Sequence, residues 1–197
     1  MTIAGRYVIF FGFDWPSNFA ESPITVPDDF WEKGIWDEPY FPPTVTFKTA
    51  EAYYQSRKAV MANDKYNYYR IALASTPSLT KKIAREIKLD SAAWNRVREK
   101  YMMETLRLKF TQNPDLMSKL MSPEMDGKMF VEASPWDTFW GAGRDEKTLV
   151  KEIQKTGCVS LHDGKYHAVV ATNMLGNLLM KFRIEQKRAI KKAKKEG

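Results

Sequence analysis

Three short stretches of the chain carry side chains suited to chemistry. In TAEAYYQSRK, residues 49–58, Glu51, Gln55 and Lys58 stand at i, i+4 and i+7. A helix would line up a carboxylate, an amide and an amine on one face. Such a row is either a surface ladder of ion pairs, each worth about 0.3 kcal/mol, or the polar wall of a site. The second stretch, EASPWDTFWGAGR, residues 132–144, sets Trp136, Phe139 and Trp140 around Asp137 and follows them with Gly-Ala-Gly. Aromatic faces stack on bases for about 1–3 kcal/mol each. Gly141 and Gly143 would let backbone N–H groups approach an anion ahead of a helix start at Asp145. The competing reading is a tight, tryptophan-anchored turn packed on the core. The third stretch, Trp15-Pro-Ser-Asn-Phe19, places Ser17 and Asn18 in a turn where their side chains can reach a ligand, or simply form the turn.

A metal site is a fourth possibility to weigh. If Asp163-Gly164 makes a two-residue turn, Cys158, Ser160, His162 and His167 share one face of a hairpin. The spacing C-x(3)-H-x(4)-H is no standard zinc pattern and a fourth ligand is not evident, so no metal and no cofactor is expected.

The elements that must position these residues are mostly helical. Residues 6–13, RYVIFFGF, read as a buried strand. Residues 17–43 are rich in proline and aromatics and read as irregular, with room for a short strand at 24–26. Helices are expected over 46–63, 64–75, 77–87 (Pro77 in the first turn, Thr76 or Ser75 as cap), 91–111 (opened by Ser91), 114–120, 145–155 and from about Asn173. Residues 158–170 read as a hairpin with an Asp163-Gly164 turn. The pattern predicts an α+β fold, helix-dominated, as one domain over 1–186 with a basic tail over 187–197.

Composition narrows the class. With 197 residues the chain can bury a sizeable core. It has no apolar run near the roughly 20 residues of a membrane span, lacks the features of a signal peptide, and has one cysteine. A reduced, cytoplasmic protein with no membrane partner is expected. Net charge is +7, of which the last eleven residues supply +5 (six basic residues, one acid). That tail can hold a nucleic acid through phosphate contacts, or can be a solvated helix end.

Taken in order, these segments resemble the NADAR or YbiA-like family. The resemblance rests on Ser17-Asn18-Phe19, the Glu51/Gln55/Lys58 face, Trp94 on a helix, Val131-Glu132 through Asp137 to Trp140-Gly141 and Gly143, and Asn173-Met-Leu-Gly-Asn-Leu-Leu-Met180. It covers roughly residues 15–185. Two departures stand out, a proline- and aromatic-rich insertion at 27–43 and a long link at 144–171. The resemblance implies cleavage of an N-glycosidic bond of ribose. The substrate classes it implies are ADP-ribose on guanine in nucleic acid, favoured by the basic tail, or early riboflavin-pathway intermediates; a non-catalytic reader of ADP-ribose or NAD is the alternative of another kind. It also implies roles. Glu51 or Asp137 would stabilise the oxocarbenium ion, and Lys58 would bind phosphate or form a Schiff base with ribose C1. Trp94 and Trp140 would wall the site, Asn18 and Asn173 would bind ribose hydroxyls, and Ser17, Phe19, Gln55, Glu132, Gly141 and Gly143 would complete the substrate contacts. Glu51, Lys58, Asp137 and Trp140 are expected to line one pocket.

Overall fold

The computed structural model describes residues 1–30, 43–159 and 171–196. In chain order the elements are strands β1 (Thr2–Ala4), β2 (Tyr7–Phe10), β3 (Glu21–Pro27) and β4 (Thr44–Thr49). Helices α1 (Ala50–Met61), α2 (Lys65–Ala72), α3 (Pro77–Ala84), α4 (Ser91–Gln112) and α5 (Pro114–Met121) follow. Strand β5 (Met129–Glu132) and helices α6 (Glu146–Thr156) and α7 (Met174–Glu196) complete the chain. The fold is α+β and helix-dominated. It divides into two compact units, one made of residues 1–17 and 115–197, the other of residues 18–114.

In the unit formed by 18–114, β3 and β4 pair antiparallel, with Ile24 opposite Phe47. Their alternation of buried and exposed side chains is that of a half-covered ribbon. Phe47, Ala50, Tyr53, Tyr68, Ile71 and Ile83 close its core. Thr44–Thr49 is a strand, where helical spacing had been expected from residue 46. The alternating threonines and valine favour extended backbone, and Thr49 then caps α1 by accepting from the Ala52 N–H. Helix α4 is capped by Asp90 and not by Ser91, its first residue, because the Asp90 carboxylate accepts from the Ala92 and Ala93 N–H groups. Thr76 caps α3 with Pro77 in the first turn, as expected. Arg57 is buried and forked onto Asp29, with Nη1–Oδ1 at 3.1 Å and Nη2–Oδ2 at 2.5 Å. Tyr68 donates to the same carboxylate at 3.2 Å.

In the other unit, β2 lies between β1 (antiparallel) and β5 (parallel), with Phe10 level with Glu132. Neither β1 nor β5 stands out from the sequence, both being too short for a clear alternation. Helix α6 is capped by Asp145 and ends at Gly157 in the left-handed region (φ 72°). Leu149 and Ile153 of α6 pack with Tyr7, Ile9, Val131 and Ala133. Helix α7 runs on to Glu196, so the basic segment from 187 continues a helix. Arg183 and Lys187 both pair with Asp126, which docks the first residue of that segment. No described helix is long and apolar enough to cross a membrane. The expected hairpin at 158–170 and most of the 27–43 insertion lie outside the described residues.

Candidate active site

Helix α1 buries most of its surface, and this decides how the Glu51/Gln55/Lys58 row is to be read. Glu51 and Gln55 are each only 6% exposed, so they are no surface ladder. The Gln55 Nε2 amide donates to Glu51 Oε1 at 2.8 Å and orients the carboxylate. The Glu51 N–H donates to the Asn18 carbonyl at 2.9 Å, which pins the Asn18 turn to the first turn of α1. Asn18 is itself buried, and its Nδ2 points to Met102 Sδ at 3.0 Å. Two buried acceptors here, Asn18 Oδ1 and Gln55 Oε1, have no hydrogen-bond partner. A buried oxygen left in that state costs about 1–3 kcal/mol, and a ligand's hydroxyl would relieve it.

Lys58 lies one further turn along, half-buried, its Nζ 5.4 Å from the centre of the Trp94 ring. Trp94 is held by Tyr101, stacked at 5.7 Å, and by Tyr54 at 5.4 Å. Burial lowers the Lys58 pKa below the usual lysine value; Glu51 opposes that shift, and Lys81 and Arg85 add to it by like-charge repulsion. Lys81 also stands over the Phe19 ring at 5.1 Å. Sequence reasoning passed over Lys81 and Arg85. Their spacing of four on α3 and its cap was the available signal, but that spacing is also that of ordinary surface charge.

The WG-x-G turn belongs to the other unit and is explained by its own hydrogen bonds. Asp137 Oδ1 accepts from the Phe139 N–H at 3.0 Å and the Trp140 N–H at 2.7 Å, so this carboxylate shapes the turn. A Cβ on Gly141 would sit 2.7 Å from Ser134 Cβ, and Gly143 has φ +65°. The Gly143 N–H donates to the Asp137 carbonyl at 3.2 Å and the Ala142 N–H to the Glu132 carbonyl at 2.9 Å. The Gly143 N–H is thus spent inside the turn. The carbonyls of Phe139 and Trp140 accept from the Met174 and Leu175 N–H groups, which closes the start of α7 on the turn.

Asn173 is bonded within the fold as well. It is 3% exposed and left-handed (φ 45°). Its Nδ2 donates to the Phe130 carbonyl at 2.8 Å and its Oδ1 accepts from the Glu132 N–H at 3.0 Å. Both ends of the amide serve β5. Phe139 and Trp140 meet edge to face at 4.8 Å, whereas Trp136 is 94% exposed. Ser17 is buried, its N–H bonded to the Asp14 carbonyl. Cys158 is exposed, and His162 and His167 lie outside the described residues.

The model of the NADAR domain matches residues 12–186. The chain belongs to the NADAR family. The match runs through both compact units. Among its relatives, the N-glycosidase R617 of Acanthamoeba polyphaga mimivirus is 31% identical over 140 residues, 71% of this chain and 74% of that protein. The riboflavin biosynthesis protein PYRR of Zea mays is 29% identical over 177 residues, 86% of this chain but only 23% of that protein. The NMR structure of the Escherichia coli protein YbiA superposes with a TM-score of 0.58 at 23% identity, covering 96% of this chain and 92% of that one. It bears out the fold.

Proposed function

We propose that this NADAR chain hydrolyses the N-glycosidic bond between ribose C1 and a base or amine nitrogen. The observation that carries the reading is Glu51, a carboxylate 6% exposed, oriented by Gln55 and set beside two unpartnered buried acceptors, Asn18 Oδ1 and Gln55 Oε1. Departure of the nitrogen with the bonding pair leaves positive charge on C1 and the ring oxygen. A preoriented carboxylate in a poorly hydrated site stabilises that charge most as it develops. Water then adds to C1 and gives up a proton to Glu51, which passes to the departed nitrogen and returns Glu51 to its carboxylate form. Asn18 and Gln55 supply acceptors for ribose hydroxyls, and Trp94 with Phe19 supplies apolar walls. Glu51 takes the catalytic carboxylate role in this scheme, since Asp137 Oδ1 is engaged with two backbone N–H groups. Lys58 serves as a phosphate ligand or, once deprotonated, as an amine that attacks C1 of the opened sugar.

For the leaving group we favour guanine carrying ADP-ribose in nucleic acid, on the strength of the basic α7 extension. The second reading, an early riboflavin-pathway intermediate, is favoured by the maize relative, whose similarity extends over 86% of this chain. Incubation with guanine-ADP-ribosylated DNA and, separately, with ribosylaminouracil phosphate tests both. Release of ADP-ribose from the first supports the favoured substrate, and release of ribose phosphate from the second supports the alternative. Binding of ADP-ribose without turnover of either would leave a reader and sink the glycosidase reading.

A further inference from the structure

Two buried side-chain amides in the unit formed by 18–114 keep their oxygens free, and in each the cause is a neighbour that only accepts. Gln55 gives its Nε2–H to Glu51 Oε1 at 2.8 Å, and Gln55 Oε1 is left over. Asn18 gives its Nδ2–H to the thioether sulfur of Met102 at 3.0 Å, and Asn18 Oδ1 is left over. Asn18 is 4% exposed and Met102 2%, so bulk water reaches neither. Met102 follows Trp94 by eight residues on α4, two i, i+4 steps along one helix face. It therefore comes from the same face as the ring that Lys58 meets at 5.4 Å. The Asn18 main chain is held separately, because its carbonyl accepts from the Glu51 N–H. What remains to be fixed is which end of the amide faces the sulfur. Turned over, the amide would set Oδ1 against sulfur lone pairs with no proton between them. A hydroxyl in place of the thioether would suit either orientation, since it both donates and accepts, whereas a thioether has no proton to give.

From this geometry we infer that Met102 is a positioning residue: by holding Asn18 Nδ2 it fixes Asn18 Oδ1 as an acceptor, and so sets the site to take a sugar through its hydroxyl donors. Glu51 does the same for Gln55, and both amides are tied to Glu51, Asn18 through its carbonyl and Gln55 through its Nε2. Two acceptors beside one carboxylate suit two hydroxyls of one ribose. A sugar that lacks either hydroxyl leaves a buried oxygen stranded, and that orphan disfavours the deoxy analogue more than the lost bond alone does. Met102 touches no substrate in this scheme and acts through Asn18. The inference deepens the N-glycosidase reading and rests on it, naming what makes the site select ribose over deoxyribose.

Calorimetric titration with ribose 5-phosphate and with its 2-deoxy and 3-deoxy analogues tests this. Wild type should prefer ribose 5-phosphate to each analogue by about ten-fold, the scale of one stranded buried acceptor. Met102→Leu keeps the volume and removes the sulfur, an exchange that packed interiors tolerate. It should weaken ribose 5-phosphate by about three-fold or more and leave unchanged the analogue that lacks the hydroxyl taken by Asn18. Asn18→Ala should weaken ribose 5-phosphate too, and adding Met102→Leu to it should then cost nothing further. Additive losses would mean that Met102 acts through packing and not through Asn18, which overturns the inference. Equal affinity for the three sugars, binding of none of them, or affinity unchanged in Met102→Leu overturns it as well. If the leucine variant melts well below wild type, Met102→Ile, also without sulfur, repeats the measurement. Turnover of guanine-ADP-ribosylated DNA and of ribosylaminouracil phosphate, measured alongside, keeps the two readings apart. Hydrolysis with sugar affinity indifferent to Met102 removes the positioning role and leaves the glycosidase. A preference for ribose that depends on Met102 without hydrolysis of either substrate keeps the positioning role and removes the glycosidase.

Discussion

At the scale of single residues, the buried Glu51–Gln55 pair makes the sharpest prediction. Glu51→Gln keeps the shape and a hydrogen bond to Gln55 but removes the charge that would face the oxocarbenium ion. Turnover should fall by about 10²-fold or more with substrate binding retained, the scale of one preorganised electrostatic partner. Near-wild-type turnover in a correctly folded variant would return Glu51 to a structural role. Asp137→Asn should act differently, because an amide oxygen can still accept from Phe139 and Trp140; a loss of similar size there would move the charge role to Asp137. Lys58 is faced by Glu51 on its own helix, by Lys81 and Arg85 from α3, and by the Trp94 ring from α4. Its lowered pKa means that the folded protein holds that proton less tightly than the unfolded chain does. The resulting penalty is fully present below the folded value and disappears as pH rises through it toward the ordinary 10.5. The melting-temperature difference between Lys58→Met and wild type should therefore shift in favour of wild type as pH is raised over that window. A difference independent of pH would mean that Lys58 is not desolvated. Kinetics divide its two roles. A phosphate ligand predicts a raised KM in Lys58→Ala, whereas a Schiff-base amine predicts lost kcat and a borohydride-trapped adduct on wild type alone.

At the scale of elements, stability depends on a few contacts that side-chain hydrophobicity does not reveal. Gly176 lets α7 lie directly on β5. A Cβ there would stand 2.1 Å from the Phe130 carbonyl and 2.5 Å from Asn173 Nδ2. Gly176→Ala should cost about 3 kcal/mol or more, at or beyond the upper end for an overpacked core, because backbone is what must move. Chemical denaturation measures this; a loss under about 1 kcal/mol would show that the helix can slide off the strand without penalty. In the unit formed by 18–114, Asp29→Ala would strand the Arg57 guanidinium in a buried position. Its cost should be about 2 kcal/mol, below the usual figure for a broken buried pair because the Asp29 side chain is 28% exposed. The double variant Asp29→Ala/Arg57→Met should recover part of that loss.

At the scale of the whole molecule, charge is the informative quantity. Arg183 and Lys187 are tied to Asp126, so a truncation that spares this contact removes the residues after Arg188. Removing residues 189–197 deletes four lysines and one glutamate and takes the net charge from +7 to +4. If that extension holds nucleic acid, its loss should weaken DNA binding and flatten the dependence of log K on log salt by about 0.9 for each phosphate contact given up. Turnover of a small riboside should be untouched. Equal loss on both substrates would show that the extension stabilises the fold.

The amino-acid sequence alone determined what depends on near neighbours. Thr76-Pro77 and Asp145 at helix starts, the buried run Tyr7–Phe10, the i, i+4, i+7 row on α1 and the ordered motifs of the NADAR family were all legible, because caps, periodicity and motif spacing are local. Residues 46–49 read as helix, since a short run next to a helix satisfies either pattern until β3 supplies its ladder. Only the tertiary structure decided which polar groups are buried and what they bond. It buried Glu51 and Gln55 on a helix face that could equally have met solvent. It spent Asn173 on β5 and the Gly143 N–H inside its own turn, left Asn18 Oδ1 and Gln55 Oε1 without donors, and brought Lys81 and Arg85 toward Lys58. The physical reason is common to all of these. Burial, and the partner that satisfies a buried polar atom, are set by residues distant along the chain, and no local spacing encodes them.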